Sequence, residues 1–416
     1  MKFGFLTYGC KVNQYETQRI REFLEAAGGT ESNEPEFYII NSCTVTDKID
    51  RDIMRDIRRI KRITAAKIIL TGCLTKRNFE KEYADIVVPN DRKYDVSFYP
   101  LKPAEEDFLP PRIISDFYQK NRAFVKIQDG CSNFCSYCEV PFVRGSVLKS
   151  RPINEIKEEI RALTEKGFAE IILTGINIGL YGAENNYREN LPDVLKEAAA
   201  VHENGRIRLS SVGPEHLSED IVDFFADNPE KMCPHFHISM QSGCDKILRL
   251  MRRKYTAREY KEKAEYILKK MPDAGITTDI ITGFPGETDA DFEETYKFTE
   301  NLRLSRIHVF SYSDRPDAAA SGFGGKVDEK EKKARMRKLA GLAEKKQKDF
   351  AAGNEGKIRK VLVENEEKKG VWTGYTGNYI KVKIKDAGRY VNKIIRVRIS
   401  GINGKEAAGE IIRTDI

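Results

Sequence analysis

The sequence predicts an α/β protein in three parts: an N-terminal Rossmann-like parallel sheet domain, a central incomplete (β/α)6 barrel, and a small C-terminal antiparallel β-barrel. Three observations carry this. Apolar strand-like runs alternate with helical stripes from Met1 to about Val88, the pattern of a parallel sheet with helices on its faces. The same rhythm resumes at Arg122 and repeats six times. After Gly356 the period shortens to two, as in Tyr379-Ile380-Lys381-Val382-Lys383-Ile384-Lys385.

The chain has 416 residues, enough for two to three domains with full cores. Charged residues make up 32%, and apolar runs such as Ile68-Ile69-Leu70 are far too short to cross a bilayer. Met1-Lys2-Phe3-Gly4-Phe5-Leu6 enters strand-like sequence without the apolar stretch of a signal peptide. A cytoplasmic protein with no membrane partner is expected, and its eight cysteines then read as metal ligands before disulfides. The net charge of +7 is modest for this length, and basic residues crowd the C-terminal quarter.

In the first part, Phe3–Tyr8 reads as a strand ending at Gly9-Cys10. A helix follows with Ile20, Phe23, Leu24 and Ala27 on one face. Phe37–Ile40 is the next strand, ending at Asn41-Ser42-Cys43, and Ile49, Ile53, Ile57 and Ile60 form the next helical stripe. Lys67–Leu70 ends at Thr71-Gly72-Cys73. Parallel strand ends share one edge of the sheet, where open α/β domains bind ligands. Cys10, Cys43 and Cys73 are therefore expected to converge and to hold an iron–sulfur cluster with one iron free of protein; the alternative is three unrelated core cysteines.

The stretch Pro89 to Asn121, with Pro100, Pro103, Pro110 and Pro111, reads as a crossing between domains. Strands are then expected near Ala123–Gln128, Glu170–Thr174, Arg206–Ser210, His235–Met240, Gly275–Ile281 and Arg306–Phe310, with the active site at their C-terminal ends. The first of these ends is Gln128-Asp129-Gly130-Cys131-Ser132-Asn133-Phe134-Cys135-Ser136-Tyr137-Cys138. Structural zinc wants four ligands, and no histidine or fourth cysteine follows nearby. The C-x3-C-x2-C loop suits a cubane cluster with one open iron; a disulfide or a plain electron-transfer cluster is the alternative.

That loop resembles the signature of radical S-adenosylmethionine (SAM) enzymes, with the aromatic Tyr137 before the last cysteine in support. With the three early cysteines, the chain resembles the radical SAM methylthiotransferase family over nearly its whole length. Gly9-Cys10-Lys11-Val12-Asn13-Gln14-Tyr15-Glu16-Thr17 is similar to the MtaB branch, which modifies N6-threonylcarbamoyladenosine beside the tRNA anticodon. The resemblance implies three domains: residues 1–110 with an auxiliary 4Fe-4S cluster on Cys10, Cys43 and Cys73; 117–350 with the radical SAM cluster on Cys131, Cys135 and Cys138; and 353–416, a TRAM domain. It places Gly175, Asn177, Ser211 and Gln241 around SAM and assigns no catalytic side chain beyond the cluster ligands.

The implied reaction uses two 4Fe-4S clusters. One SAM methylates a sulfur associated with the auxiliary cluster. A second yields a 5′-deoxyadenosyl radical that takes hydrogen from carbon 2 of the adenine, which then receives the methylthio group. Implied partners are the tRNA anticodon loop and an electron donor such as flavodoxin or ferredoxin, with the sulfur source open. Two alternatives stand beside this: the same chemistry on isopentenyladenosine or on a ribosomal protein aspartate, and a non-catalytic iron–sulfur RNA-binding protein.

The sequence departs from the family pattern in places. Gly213 stands where Glu is expected, with Glu215 two residues on. Ser311 replaces a Pro, and Asp317-Ala318 a Gly-Thr pair. Arg144 in Pro141-Phe142-Val143-Arg144-Gly145 is expected either to face a carboxylate or phosphate or to make a surface ion pair. Cys233 and Cys244 read as structural, and His235 and His237 as satisfied barrel-interior residues. Asp328 to Phe350 reads as a solvated connecting helix with Met336, Leu339, Ala340 and Ala343 as an apolar strip. The C-terminal strands put aliphatic residues inside and cations outside, a face suited to phosphates, with Trp372, Tyr375 and Tyr379 as stacking platforms for unpaired bases.

Overall fold

The computed structural model describes residues 1–77, 83–101 and 108–412, so Pro103 and the last residues of the expected C-terminal domain lie outside the described residues. The N-terminal part comprises β1 (Lys2–Thr7), α1 (Lys11–Ala26), β2 (Thr30–Glu31), β3 (Phe37–Ser42), α2 (Asp47–Ile63), β4 (Lys67–Gly72) and β5 (Ile86–Val87). Its five strands are all parallel, in the order β2-β1-β3-β4-β5. The two-residue edge strands β2 and β5 are too short to carry a sequence period. Alternation splits each central strand between two cores: Ile39 and Ile69 pack with Ile20, Phe23 and Leu24 of α1, while Ile40, Ile68 and Leu70 pack with Ile53, Ile57 and Ile60 of α2. Thr46 starts α2 by accepting from the Ile49 amide at 3.4 Å. The chain leaves β1 toward one edge of the sheet and β3 toward the other, so the crevice between them is the topological switch point.

The central part follows as β6 (Ala123–Asp129), α3 (Val140–Arg144), β7 (Lys149–Ser150), α4 (Ile153–Glu165), β8 (Glu170–Gly175), α5 (Leu191–Val201), β9 (Arg206–Leu209), β10 (Ser211–Val212), α6 (Glu219–Asp227), β11 (His235–Ile238), α7 (Asp245–Leu250), α8 (Ala257–Lys270), β12 (Gly275–Thr282), α9 (Asp289–Asn301), β13 (Arg306–Ser311) and α10 (Glu329–Ala352). All six expected strands are present and run in chain order through two sheets, β7-β6-β8-β9 and β10-β11-β12-β13. Ser210 interrupts the third strand, and a bridge from Ile207 to Met232 spans the seam. The short β7 folds back antiparallel on β6. One core of strand and helix side chains, including Tyr15 of α1, runs through this part and fastens the N-terminal helix to the barrel.

α10 is not the solvated connector its charge suggests. Leu339 and Leu342 join the barrel core, and buried Arg335 donates to Glu287 at 2.8 Å. Ala340, assigned to the apolar strip, faces solvent instead.

The C-terminal part has β14 (Ile358–Lys368), β15 (Val371–Thr376), β16 (Lys381–Lys385), β17 (Ile394–Asn403) and β18 (Glu406–Ile411). They close as β14-β15-β16-β18-β17, antiparallel except for the parallel pair β16–β18. Val361, Val363, Val382, Ile384, Val397 and Ile399 fill the interior. Two expectations for its surface change. Lys381 and Lys383 each pair with both Glu367 and Glu406, which neutralises that part of the basic face. The aromatics are only partly exposed and already have partners within the molecule: Tyr379 stacks on His235 with centroids 4.8 Å apart, Tyr375 lies under Arg122, and Trp372 packs against Gly388.

Buried Glu170 explains that junction. It holds Arg206 and Arg208 at 2.6 and 2.7 Å. The outer nitrogens of both arginines donate to carbonyl oxygens of the C-terminal barrel at Lys360, Tyr375, Thr376 and Gly377.

Candidate active site

The three N-terminal cysteines meet at the switch-point edge. Cys10 follows β1, Cys43 follows β3 and Cys73 follows β4, and all three line one cavity of about 250 Å³. Two glycines make the approach possible. Gly9 and Gly72 sit at φ +96° and +93°, where an L side chain is strained. A Cβ on Gly9 would lie 2.7 Å from the Cys43 sulfur, and one on Gly72 would lie 2.3 Å from the Ser42 carbonyl oxygen. The Gly-Cys repeat is thus the means by which three strand ends pack as one unit.

The opposite wall belongs to the barrel. Tyr137 and Cys138 at the end of the C-x3-C-x2-C loop, with Glu139, Val140, Val143 and Arg144 just after it, line the same cavity. The Cys138 amide donates to the Cys135 carbonyl at 3.0 Å, and Ser136 ties the loop to Leu250 and Met251. Cys131 and Cys135 lie outside the lining. Asn177 donates to the Cys131 sulfur at 3.7 Å, and Arg253 to the Cys135 sulfur at 3.3 Å.

Both thiol sets fit an iron–sulfur cluster better than a lone ion. Each sulfur is within electrostatic reach of its set-mates. Among the described residues, though, no three thiols come within 4.8 Å of one another. A single tetrahedral ion with thiolate bonds of ~2.3 Å needs its sulfurs roughly 4 Å apart, so the wider spacing suits a multi-metal unit. Burial pushes the Cys43 and Cys138 thiols up to about 12, and Cys73 and Cys131 upward as well. Such groups ionise on binding metal.

The four residues assigned to SAM occupy neighbouring places at the barrel mouth. Gly175 ends β8, and a Cβ there would meet the Gln128 carbonyl oxygen at 2.8 Å. Asn177 takes the Gln128 side chain on its amide at 2.8 Å. Ser211 is exposed at the start of β10. Gln241 alone of the four lines the cavity, with φ at +67°, a strained conformation for a non-glycine residue.

Two buried charge networks clamp the walls together, and the sequence gives little sign of either. Arg144 is neither a surface pair nor a free anion receptor. Its side chain is 2% exposed, and it donates to both Glu16 oxygens at 2.7 and 2.9 Å, to Asn13, and to the Cys73 sulfur at 3.2 Å. Glu16 also binds Lys93 at 2.7 Å and Lys126 at 2.8 Å. Burial opposes its charge, but Arg144, Lys126 and Lys93 hold its carboxyl well below the usual range. The one available signal was the position of Glu16 midway between Val12 and Ile20 on the buried face of α1. Across the cavity, Arg315 binds Asp50 at 2.8 Å and Asp47 at 2.9 Å, while Arg77 joins Asp50 to Glu139.

Glu215 covers the family departure at Gly213. Its carboxylate oxygen lies 2.5 Å from where a Cβ on Gly213 would begin, and it pairs with Arg253 at 3.5 Å. A carboxylate is therefore supplied to this place from two residues further on. Among the remaining residues, Cys233 and Cys244 are buried, and His237 is satisfied by Thr277 and Asp279 at 2.9 and 3.0 Å. His235 departs from expectation, because its Nδ1 has no partner among the described residues, although Nε2 meets the Thr277 hydroxyl at 3.3 Å.

Known proteins resemble this chain over most of its length. Residues 125–299 match the radical SAM superfamily, and residues 2–88 match a family described as uncharacterized protein family UPF0004. The chain is 36% identical to the threonylcarbamoyladenosine tRNA methylthiotransferase MtaB of Thermotoga maritima, covering 95% of this chain and 94% of that one. It is 35% identical to the protein of the same name from Aquifex aeolicus, over 96% and 100%. It is 32% identical to the tRNA-2-methylthio-N(6)-dimethylallyladenosine synthase of Thermodesulfovibrio yellowstonii, over 98% of each. Among solved structures, the radical SAM methyltransferase TsrM of Kitasatospora setae shares the fold, with a TM-score of 0.57 at 13% identity, over 88% of this chain and 79% of that one.

Proposed function

The chain belongs to the radical SAM tRNA methylthiotransferases, and from that premise we propose that it transfers a methylthio group to carbon 2 of N6-threonylcarbamoyladenosine beside the tRNA anticodon. The observation that carries the proposal is the single cavity with Cys10, Cys43 and Cys73 on one wall and Cys138 on the other. The motif beginning at Gly9-Cys10-Lys11 and the names of the more similar relatives favour the threonylcarbamoyl nucleoside over the dimethylallyl one.

When bound, a 4Fe-4S cluster on Cys131, Cys135 and Cys138 supplies an electron to SAM for radical formation, and a second on Cys10, Cys43 and Cys73 supplies the place from which sulfur is delivered. The protein's own part is positioning and exclusion of water. Arg144 and Arg315 fix the separation of the walls by gripping Glu16 of α1 and Asp50 of α2, two carboxylates of the N-terminal domain. Val45, Val140, Val143, Ile176, Ile281 and Phe310 give the cavity an apolar lining that keeps solvent from a radical. Asn177 and Arg253, each donating to a loop sulfur, favour the electron-rich state of that site. Gly175, Asn177, Ser211 and Gln241 take SAM at the barrel mouth, and an adenine turned out of the anticodon loop enters between the walls. The C-terminal barrel, read as a TRAM domain, contributes backbone contacts to tRNA through cations outside the neutralised pair Lys381 and Lys383. A small electron carrier such as flavodoxin or ferredoxin completes the reaction.

Mass spectrometry of tRNA nucleosides from a deletion strain tests the reading. Loss of the methylthio form of threonylcarbamoyladenosine, restored by the gene, is the expected result. Loss of the methylthio isopentenyl nucleoside instead would reassign the substrate.

A further inference from the structure

The charged groups around the cavity are committed, with one exception. Arg144 is held by Glu16, Arg315 by Asp47 and Asp50, and Glu139 by Arg77. Asp279 of β12 is different. It lines the cavity, on the same strand face as Ile281, and its side chain keeps 23% exposure. Its Oδ2 accepts from His237 Nε2 at 3.0 Å and from the Ser239 hydroxyl at 3.4 Å. Its Oδ1 has no hydrogen bond among the described residues, with His308 Nδ1 3.8 Å away.

A chain of hydrogen bonds fixes this carboxylate from behind. Burial opposes its charge, but His237 and His308 hold it below the ordinary carboxylate range. An ionised carboxylate only accepts, so His237 donates from Nε2. The Nδ1 of a neutral His237 then accepts from the Thr277 hydroxyl at 2.9 Å, and Thr277 accepts from His235 Nε2 at 3.3 Å. The atom left over is the bare Nδ1 of His235, which has no partner among the described residues. Oδ1 is thus a fixed, unfilled acceptor beside the apolar Ile281 and Phe310 of the same cavity.

The place of Asp279 favours the base over SAM. Of the residues assigned to SAM, Gly175, Asn177 and Ser211 lie outside the cavity lining. Asp279 pairs in register with His308 of β13. The end of β13 leads to Ser313 and Arg315, which bind Asp47, four residues after Cys43, at 2.9 Å each. Asp279 therefore stands on the half of the barrel mouth that is tied to the N-terminal thiol set.

We infer that Asp279 Oδ1 accepts a hydrogen bond from the N6–H of the adenine that is modified. The inference rests on the reading under Proposed function, that an adenine enters between the walls, and adds the contact that orients it. The ring nitrogens of adenine only accept, and N6 is its one donor. An adenine with one substituent on N6 keeps a single N–H there. The threonylcarbamoyl group has donors of its own, but they turn on rotatable bonds, whereas a bond at N6 also fixes where carbon 2 lies. A hydrogen bond to a charged acceptor corresponds to roughly tenfold to hundredfold in affinity.

The test uses reconstituted full-length protein and two synthetic anticodon stem–loops. One carries N6-threonylcarbamoyladenosine, and the other the same nucleoside with N6 methylated. Binding is read by fluorescence anisotropy. Backbone contacts are common to both RNAs and cancel in the ratio of affinities. Wild type is expected to favour the N6–H RNA by about tenfold or more. Asp279→Asn is expected to bring the ratio close to one, because His237 claims its oxygen and its amide nitrogen then faces the cavity. The variant has the size of wild type, so any misfit of the methyl group affects both alike. Asp279→Ala, which has no side-chain acceptor at all, should also lose the preference. Equal binding of both RNAs by wild type, or a preference kept in both variants, overturns the inference. Calorimetry of SAM with Asp279→Asn is expected to match wild type. A loss there of about tenfold would give the carboxylate to the adenine of SAM instead and overturns it too. Turnover of the N6–H RNA by wild type separates the two levels. If no methylthio product forms, the substrate reading falls. If product forms while both variants keep the preference, only the present inference falls.

Discussion

Arg144 donates from Nε to the sulfur of Cys73 at 3.2 Å, across 71 positions of sequence, joining the end of α3 to the turn after β4. The same guanidinium grips Glu16 and Asn13, so one barrel side chain touches two segments of the N-terminal sheet domain. Arg144→Lys keeps the charge but loses the fork that reaches all three partners. Methylthio product is expected to fall about tenfold or more, because small misplacements of reacting groups are costly, while SAM cleavage falls less. The ratio of 5′-deoxyadenosine to methylthio nucleoside, measured chromatographically, should therefore rise. A hydrogen bond removed from a ligand sulfur should also lower the reduction potential of the N-terminal site, measurable by redox titration.

Glu16 is the shared partner of three buried cations. Glu16→Ala leaves Lys93, Lys126 and Arg144 without their shared carboxylate. Removing one partner of a buried ionic group typically costs about 3–5 kcal/mol. Urea denaturation should show a loss of that size, and Glu16→Gln a smaller one because its amide oxygen still accepts.

The two cysteine sets divide the labour. Cys131→Ala is expected to abolish both SAM cleavage and product. Cys10→Ala should remove about half of the bound iron, on two clusters of equal size, and all product, but leave some SAM cleavage. Product from the Cys10 variant would show that the N-terminal thiols have a different role.

What the sequence revealed, and what it did not, follows from the range of each interaction. Gly9-Cys10 and Gly72-Cys73 are local signals, because a left-handed glycine and the thiol it positions are adjacent in the chain. The six barrel strands were legible for the same reason, since each carries its own apolar run. The partners of Arg144, Glu139 and Arg315 lie on distant segments, so nothing near those residues distinguishes a buried clamp from a surface pair. Tyr379 was misread as an RNA platform because its alternation with Ile380 shows which way it points but not that another domain covers it.

Glu215 and Gly213 form a pair whose order in the chain can be tested. Gly213→Ala should displace the Glu215 carboxylate, since the new Cβ begins 2.5 Å from its oxygen, and weaken SAM binding measured by calorimetry. Glu215→Ala should weaken it likewise. In the double variant Gly213→Glu/Glu215→Ala, the carboxylate returns from the position that the family pattern favours, and affinity should recover toward wild type. No recovery would mean that Glu215 serves only to hold Arg253.

Acid should loosen the C-terminal barrel before the rest of the molecule. Burial raises the Glu170 carboxyl, but Arg208 and Arg206 outweigh it and hold it far below the ordinary range. A carboxyl depressed in the folded state contributes stability that is complete above its unfolded value, about 4.3, and is lost progressively as pH falls below it. Protonating Glu170 frees Arg206 and Arg208, whose other nitrogens bind the carbonyls of Lys360, Tyr375, Thr376 and Gly377. Hydrogen exchange followed by mass spectrometry should therefore show β14 and β15 losing protection below about pH 4 while β1, β3 and β4 retain it. Glu170→Gln should bring the same loss at neutral pH. Uniform loss across all three parts would mean that Glu170 supports the barrel as a whole and not this junction.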